Sequence, residues 1–160
     1  MTLRERIQTD TTDAMRSGDT LRRDTLRMVS NAAYTIEKRE GRQLSDDELI
    51  AVLVREVKTR RESIDAFQKG GRDDLVRKEE AEVAILQDYL PQALSAAELS
   101  SLVDEGIAAT GASSARDLGK VMGWLSPRTR GRADGKVVSE LVAQRLAAAD
   151  LGAHDRSGGH

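Results

Sequence analysis

The chain has 160 residues, 39% of them hydrophobic and only 2% aromatic, with 32% charged and a formal net charge of −2. That is material for one ordinary domain or two small ones, and the near-neutral balance argues against a globally basic polyanion binder, so a nucleic-acid role has to come from a local patch. The absence of cysteine excludes thiol catalysis, disulfides and Cys-type zinc sites.

The first predicted helix runs from about Thr2 to Ser17, with Thr2 as cap, Leu3, Ile7, Ala14 and Met15 as apolar positions, and Gly18 as stop. Its start, MTLRERIQTD, is amphipathic and has no apolar run of signal-peptide length. Nothing later in the chain reads as a membrane span, so a cytoplasmic protein is expected. A second helix begins near Asp19, carries Leu21, Thr25, Met28, Val29, Ala32, Ala33 and Ile36 on one stripe, and stops at Gly41. The third opens on the capping-box pattern Ser45-Asp-Asp-Glu48, carries Leu49, Val52, Leu53, Val57, Ile64 and Phe67, and closes at Gly70-Gly71. The fourth starts around Asp73 with Leu75, Val76, Val83, Leu86 and Tyr89, and is broken at Leu90-Pro91, because a residue before proline disfavours the α region.

After the linker 91–94, a fifth helix opens on a second capping box, Ser95 to Glu98, and ends at Gly111. The sixth starts at Ser113 or Ser114 and carries Leu118, Val121, Met122 and Leu125, with Pro127 two residues beyond. The seventh begins at Asp134 with Val137, Val138, Leu141, Val142 and Leu146. The closing stretch LGAHDRSGGH has no helical stripe and reads as a disordered tail. The expected architecture is all-α, in two helical subdomains. These are an N-terminal bundle of about four helices over residues 1–90 and a C-terminal three-helix unit over 95–149, followed by a disordered tail over 150–160.

Chemistry is sparse. Both histidines, His154 and His160, fall in the tail, so neither a His-based triad nor an HExxH zinc site can be assembled. Glu79 and Glu80 point apart on a helix, which argues against paired acid–base catalysis. Arg55, Lys58, Arg60 and Arg61 alternate with Glu56 and Glu62, a pattern that reads as a salt-bridged solvent face more readily than as a partner surface. Met15, Met28 and Met122 fall on apolar stripes and are expected in the core. No catalytic residue, metal or cofactor is expected, and the residues alone describe a binding protein.

One stretch stands out, GKVMGWLSPRTRGRADGKVV from Gly119 to Val138. Residues 116–136 hold six basic and two acidic side chains, a local net charge of +4. GRADGK is not a phosphate-binding P-loop: it is one residue short, Val137 stands where a magnesium-binding hydroxyl is required, and no strand precedes it. Two readings stay open from spacing. In one, a basic turn with Arg128, Arg130 and Arg132 opens the last helix and seats a phosphate at its N–H groups, in competition with the Asp134 cap. In the other, the stretch is a solvated helix connection. Trp124 reads as a core or edge anchor rather than a base-stacking platform.

GASSARDLGKVMG followed by GRADGKVVSELV resembles the tail domain of the aspartyl/glutamyl-tRNA amidotransferase B subunit. LRMV at Leu26–Val29, REVKTRRESIDAFQKGGRDDLV and EEAEVAILQDYLPQALSAAEL extend the likeness, so that the chain from about Leu3 to Ala149 resembles the free-standing members of the GatB/YqeY family. The resemblance implies two all-helical subdomains and a tRNA-docking appendage without the catalytic cradle, ATP site or glutaminase of the amidotransferase. The signature falls on Gly119, Lys120, Gly123, Gly131, Arg132, Ala133 and Lys136. The amidotransferase tail commonly has Asn-Pro where this chain has Asp134-Gly135, which sets it with the free-standing branch.

The leading expectation is a tRNA-binding accessory protein. Lys120, Arg128, Arg130, Arg132 and Lys136 would meet phosphates, and Gly119, Gly123, Gly131 and Gly135 would admit the RNA backbone. The alternatives are a protein–protein adaptor for a tRNA synthetase or amidotransferase, and a family-level carbon–nitrogen ligase activity with glutamine as amide donor.

Overall fold

A computed structural model describes residues 1–157, with side chains through residue 152. It is all-helical among the described residues, in the order α1 (Leu3–Ser17), α2 (Thr20–Glu40), α3 (Asp46–Lys69), α4 (Asp73–Gln87), α5 (Ala96–Thr110), a 3-10 turn (Ala115–Asp117), α6 (Leu118–Thr129) and α7 (Gly135–Ser157). The chain forms two compact units, Met1–Pro91 and Gln92–His160.

Local chemistry sets the helix starts. Thr2 with Glu5, and Ser45 with Glu48, form complete capping boxes in which side chain and backbone satisfy one another reciprocally. Asp19 and Ser95 cap α2 and α5 by accepting from the N–H groups of Arg22 and Glu98. At the box that opens α3, Arg42 grips Glu48 with two bonds of 2.8 and 2.9 Å, and the Glu48 carboxyl is pulled down to about 2, chiefly by that guanidinium.

The first unit packs its four helices around Leu26, Val29, Leu53 and Leu86, all fully buried, with Ile7, Ala33, Leu49 and Val83 beside them. Burying one such side chain contributes about 1.5–3 kcal/mol. α4 ends at Gln87, short of the expected Leu90, because the N–H groups of Tyr89 and Leu90 turn back to the carbonyls of Leu86 and Gln87 in a tighter turn before Pro91. That turn drops Tyr89 into the core, where its hydroxyl donates to Asp10 and the Arg6 guanidinium lies 4.6 Å from its ring centroid.

The Tyr89 phenol is pushed up to about 12, first by burial and then by the Asp10 bond. The neutral phenol is the form the fold favours. Its contribution is therefore intact below about pH 10, the ordinary tyrosine value, and is lost as the pH climbs through the raised one. Urea midpoints measured from about pH 9 to about pH 12 should fall for the wild type and follow a flatter course for Tyr89→Phe.

Three expectations need correction in this unit. Arg60 is not on a solvent face: it is 3% exposed and reaches from α3 to Glu82 of α4. Met15 and Met28 are 52% and 51% exposed rather than in the core. Each sits at the margin of its stripe, where its sulfur accepts from a guanidinium, Arg27 for Met15 and Arg60 for Met28.

The second unit closes α5, α6 and α7 around Val103, Val121, Leu125, Val138, Val142 and Leu146, all 0% exposed. α7 continues to Ser157, so the segment expected as a disordered tail from residue 150 is helical over 150–157. Nothing in that stretch breaks a helix: it lacks proline, and a lone Gly152 costs only about 1 kcal/mol against alanine. Residues 158–160, with His160, lie outside the described residues.

Candidate nucleic-acid interface

α6 is preceded by Asp117, whose carboxylate accepts from the Ser113 N–H at 2.9 Å. Its pKa is lowered, first by that backbone bond, with Lys120 and Arg116 adding weaker pulls. The apolar positions Val121 and Leu125, with Thr129 below them, point to the core. Helical spacing places Arg116, Gly119, Lys120, Gly123 and Pro127 on the opposite face, and all five are exposed.

This outer face is nearly bare. Gly119 and Gly123 have ordinary negative φ, and a Cβ built on either meets nothing within 4 Å. Neither glycine is therefore required by the backbone or by packing, although Gly123, inside the helix, costs about 1 kcal/mol relative to alanine. α6 also runs through Pro127 to Thr129 rather than stopping ahead of it. Proline has no N–H to offer the Gly123 carbonyl, and the exposed setting leaves that oxygen open to solvent. The result is a strip of uncovered backbone with Arg116 and Lys120 at one end and Arg130 at the other.

Trp124 and Arg128 flank the strip. Trp124 packs partly buried against the second core, as an edge anchor. The Arg128 guanidinium carbon lies 3.7 Å from the indole centroid, and its Nη1 donates to the Trp124 carbonyl.

The turn from α6 to α7 is built on Gly131, whose φ of 75° is open to glycine and strained for other residues. Gly135 needs no such freedom, being the first residue of α7 with negative φ. Asp134 caps α7 as expected: its side chain accepts from the Lys136 N–H at 2.9 Å and its carbonyl from Val138 at 3.0 Å. The chain's own carboxylate thus occupies the helix terminus where a phosphate was considered.

Arg132 turns inward. Its Nε donates to the Gln92 carbonyl at 3.0 Å, and its own carbonyl accepts from the Leu94 N–H at 2.8 Å. It is a brace for the segment before α5 more than a free cation. Of the nine residues singled out in the sequence, Arg128, Arg130, Gly131, Arg132, Gly135 and Lys136 gather at the turn. Gly119 and Lys120 stand about 12 Å back along α6, counted from residue 128 at 1.5 Å per residue, with Gly123 between. Reasoning from sequence missed Gly106: a Cβ there would lie 2.9 Å from Trp124 Cε3. The one available signal was a glycine inside a helical stretch.

Residues 4–146 match the family model described as YqeY-like protein. The chain is similar to proteins named "Altered inheritance of mitochondria protein 41, mitochondrial" in several fungi. Identity is 29% over 143 residues with that of Pyrenophora tritici-repentis, covering 88% of this chain and 77% of the relative. It is 26% over 147 residues with that of Lachancea thermotolerans, covering 88% and 79%. With that of Eremothecium gossypii it is 37% over 105 residues, covering 61% and 55%. These names overturn the cytoplasmic expectation. That expectation rested on the lack of an apolar signal run, which speaks only to secretion and not to other compartments.

Proposed function

We propose that this chain, which belongs to the YqeY-like protein family, is a non-enzymatic docking module that holds tRNA along the outer face of α6 and the turn into α7. The observation that carries the reading is the pair of exposed glycines, Gly119 and Gly123, which the fold does not explain. A polyanion backbone lying close against α6 explains them: the missing side chains admit it, and Arg116, Lys120, Arg128 and Lys136 supply charge beside it. The resemblance to the tRNA-docking tail of the amidotransferase points the same way.

Titration of tRNA at several salt concentrations tests this. Gly119→Gln/Gly123→Gln should raise stability by about 0.5–1 kcal/mol, through helix propensity at residue 123, while weakening tRNA binding at least about tenfold by filling the strip. Lys120→Ala/Lys136→Ala should flatten the dependence of log K on log salt by about one unit for each phosphate left without its lysine. Affinities equal to wild type in both variants would sink the interface.

A second reading, an adaptor for a tRNA synthetase or amidotransferase, draws support from the first unit. A groove of about 280 Å³ there has an apolar floor of Ile7, Val29, Ala33 and Leu49 under a polar rim that includes Asn31 and the 63% exposed Tyr34. Recovery of such an enzyme in a pull-down after RNase treatment, abolished by Tyr34→Ala, would favour it.

A further inference from the structure

Arg128 is an exposed arginine that is not free to wander. Its guanidinium carbon sits 3.7 Å from the Trp124 ring centroid, the separation of two stacked planes. An end-on approach through an N–H would hold that carbon farther out. The Nη1 bond to the Trp124 carbonyl fixes the second point of the group. The indole is itself held in place: Gly106 of α5 leaves room for its Cε3 and Cζ3, and the ring packs against the core of the second unit. Trp124 is thus seated against α5 at Gly106, and the exposed Arg128 guanidinium lies over its ring. A side chain ordered in this way loses less conformational entropy when a ligand arrives.

Such a plane is the size and polarity of a nucleobase partner, since unpaired bases stack on guanidinium faces as they do on aromatic rings. Resting on the RNA-docking reading above, we propose that Arg128, held over Trp124, is the platform on which an unpaired nucleobase of the bound RNA stacks. The phosphates beside that nucleotide then run along the bare strip of α6. A base paired within a duplex, away from its ends, buries both its faces in the helix and cannot use the platform. The site therefore selects RNA with an unpaired nucleotide over duplex, a preference that phosphate contacts alone do not produce.

The test compares two RNAs with equal numbers of phosphates, a hairpin with a loop of unpaired adenosines and a fully paired duplex, on wild type and Arg128→Lys. Lysine keeps the charge and loses the plane. Wild type should prefer the hairpin by about tenfold, in the range of single-base stacking effects, and Arg128→Lys should bring the ratio close to one. Equal wild-type affinity for the two RNAs, or an unchanged ratio in Arg128→Lys, would overturn the platform and leave Arg128 as a structural staple on Trp124, with the docking reading intact. Absence of binding to either RNA by the wild type would overturn the docking reading and the platform together. Circular dichroism melts on Arg128→Lys separate a collapsed ratio from a collapsed fold.

Discussion

Replacing Arg60 by alanine is expected to destabilise the first unit by about 3–5 kcal/mol, the usual result of removing one partner from a buried ion pair. Arg60 reaches Glu82 through Nε at 2.9 Å, Glu56 through Nη1 at 2.7 Å, the Glu56 carbonyl at 3.1 Å and the Met28 sulfur at 3.4 Å. Glu82 is itself buried, so the alanine variant leaves a carboxylate with no cation and little water. Glu79 worsens the case. Burial, and then the neighbouring Glu82 charge, already raise its pKa, and Arg60 is one of the charges restraining that rise.

The deficit should accordingly be largest near neutral pH and shrink in acid, where Glu79, its pKa already raised, takes up a proton and no longer repels Glu82. Urea unfolding at about pH 7 and about pH 4 reads this directly. A variant with apolar side chains at both positions, Arg60→Met/Glu82→Leu, should recover most of the deficit, since a buried pair is often no better than well-packed hydrophobic residues. An Arg60→Ala midpoint equal to wild type at neutral pH would show that water reaches the pair.

Gly106→Val in the second unit should cost about 1–3 kcal/mol from overpacking. Even a bare Cβ would stand 2.9 Å from Trp124 Cε3, 3.3 Å from Cζ3 and 3.4 Å from Leu125 Cγ. Something must move, and the indole is less buried than the Leu125 side chain. Gly106→Ala should cost less, because about 1 kcal/mol of helix propensity offsets the crowding. Trp124 is the sole tryptophan, so its emission reports the displacement without ambiguity. Valine should shift the emission toward that of a solvated indole and lower the melting temperature. A wild-type spectrum and melting curve would mean that α5 and α6 separate freely at this point.

The helix framework was legible because its signals are local. A serine, threonine or aspartate sits at most of the helix starts, and apolar residues return every three or four positions. Asp134 as the cap of α7 could be read in the same way. What stayed hidden depends on partners distant in sequence. Hydrophobic periodicity scores arginine as surface, so Arg60 fell among its charged neighbours, although Glu82 lies 22 residues away. Arg132 looked like one more cation in a basic run, and only the fold brings Gln92 to it. Met15 and Met28 belonged to their stripes by spacing but to the margins by geometry. Pro127 set no boundary by itself, because near a C-terminus the helix loses a single bond and continues to Thr129.

The brace made by Arg132 bears on where the second unit can be cut free. Residues 92–94 look dispensable, three positions of unstructured chain ahead of the Ser95 cap. They are instead stitched to the α6–α7 turn 40 residues downstream by bonds to both the side chain and the carbonyl of Arg132. A fragment begun at Ser95 would strand those groups and slacken the very loop that carries the cations. A fragment begun at Gln92 keeps them. Any transplant of this module onto another protein therefore has its seam at Pro91, and the short lead-in belongs to the cargo.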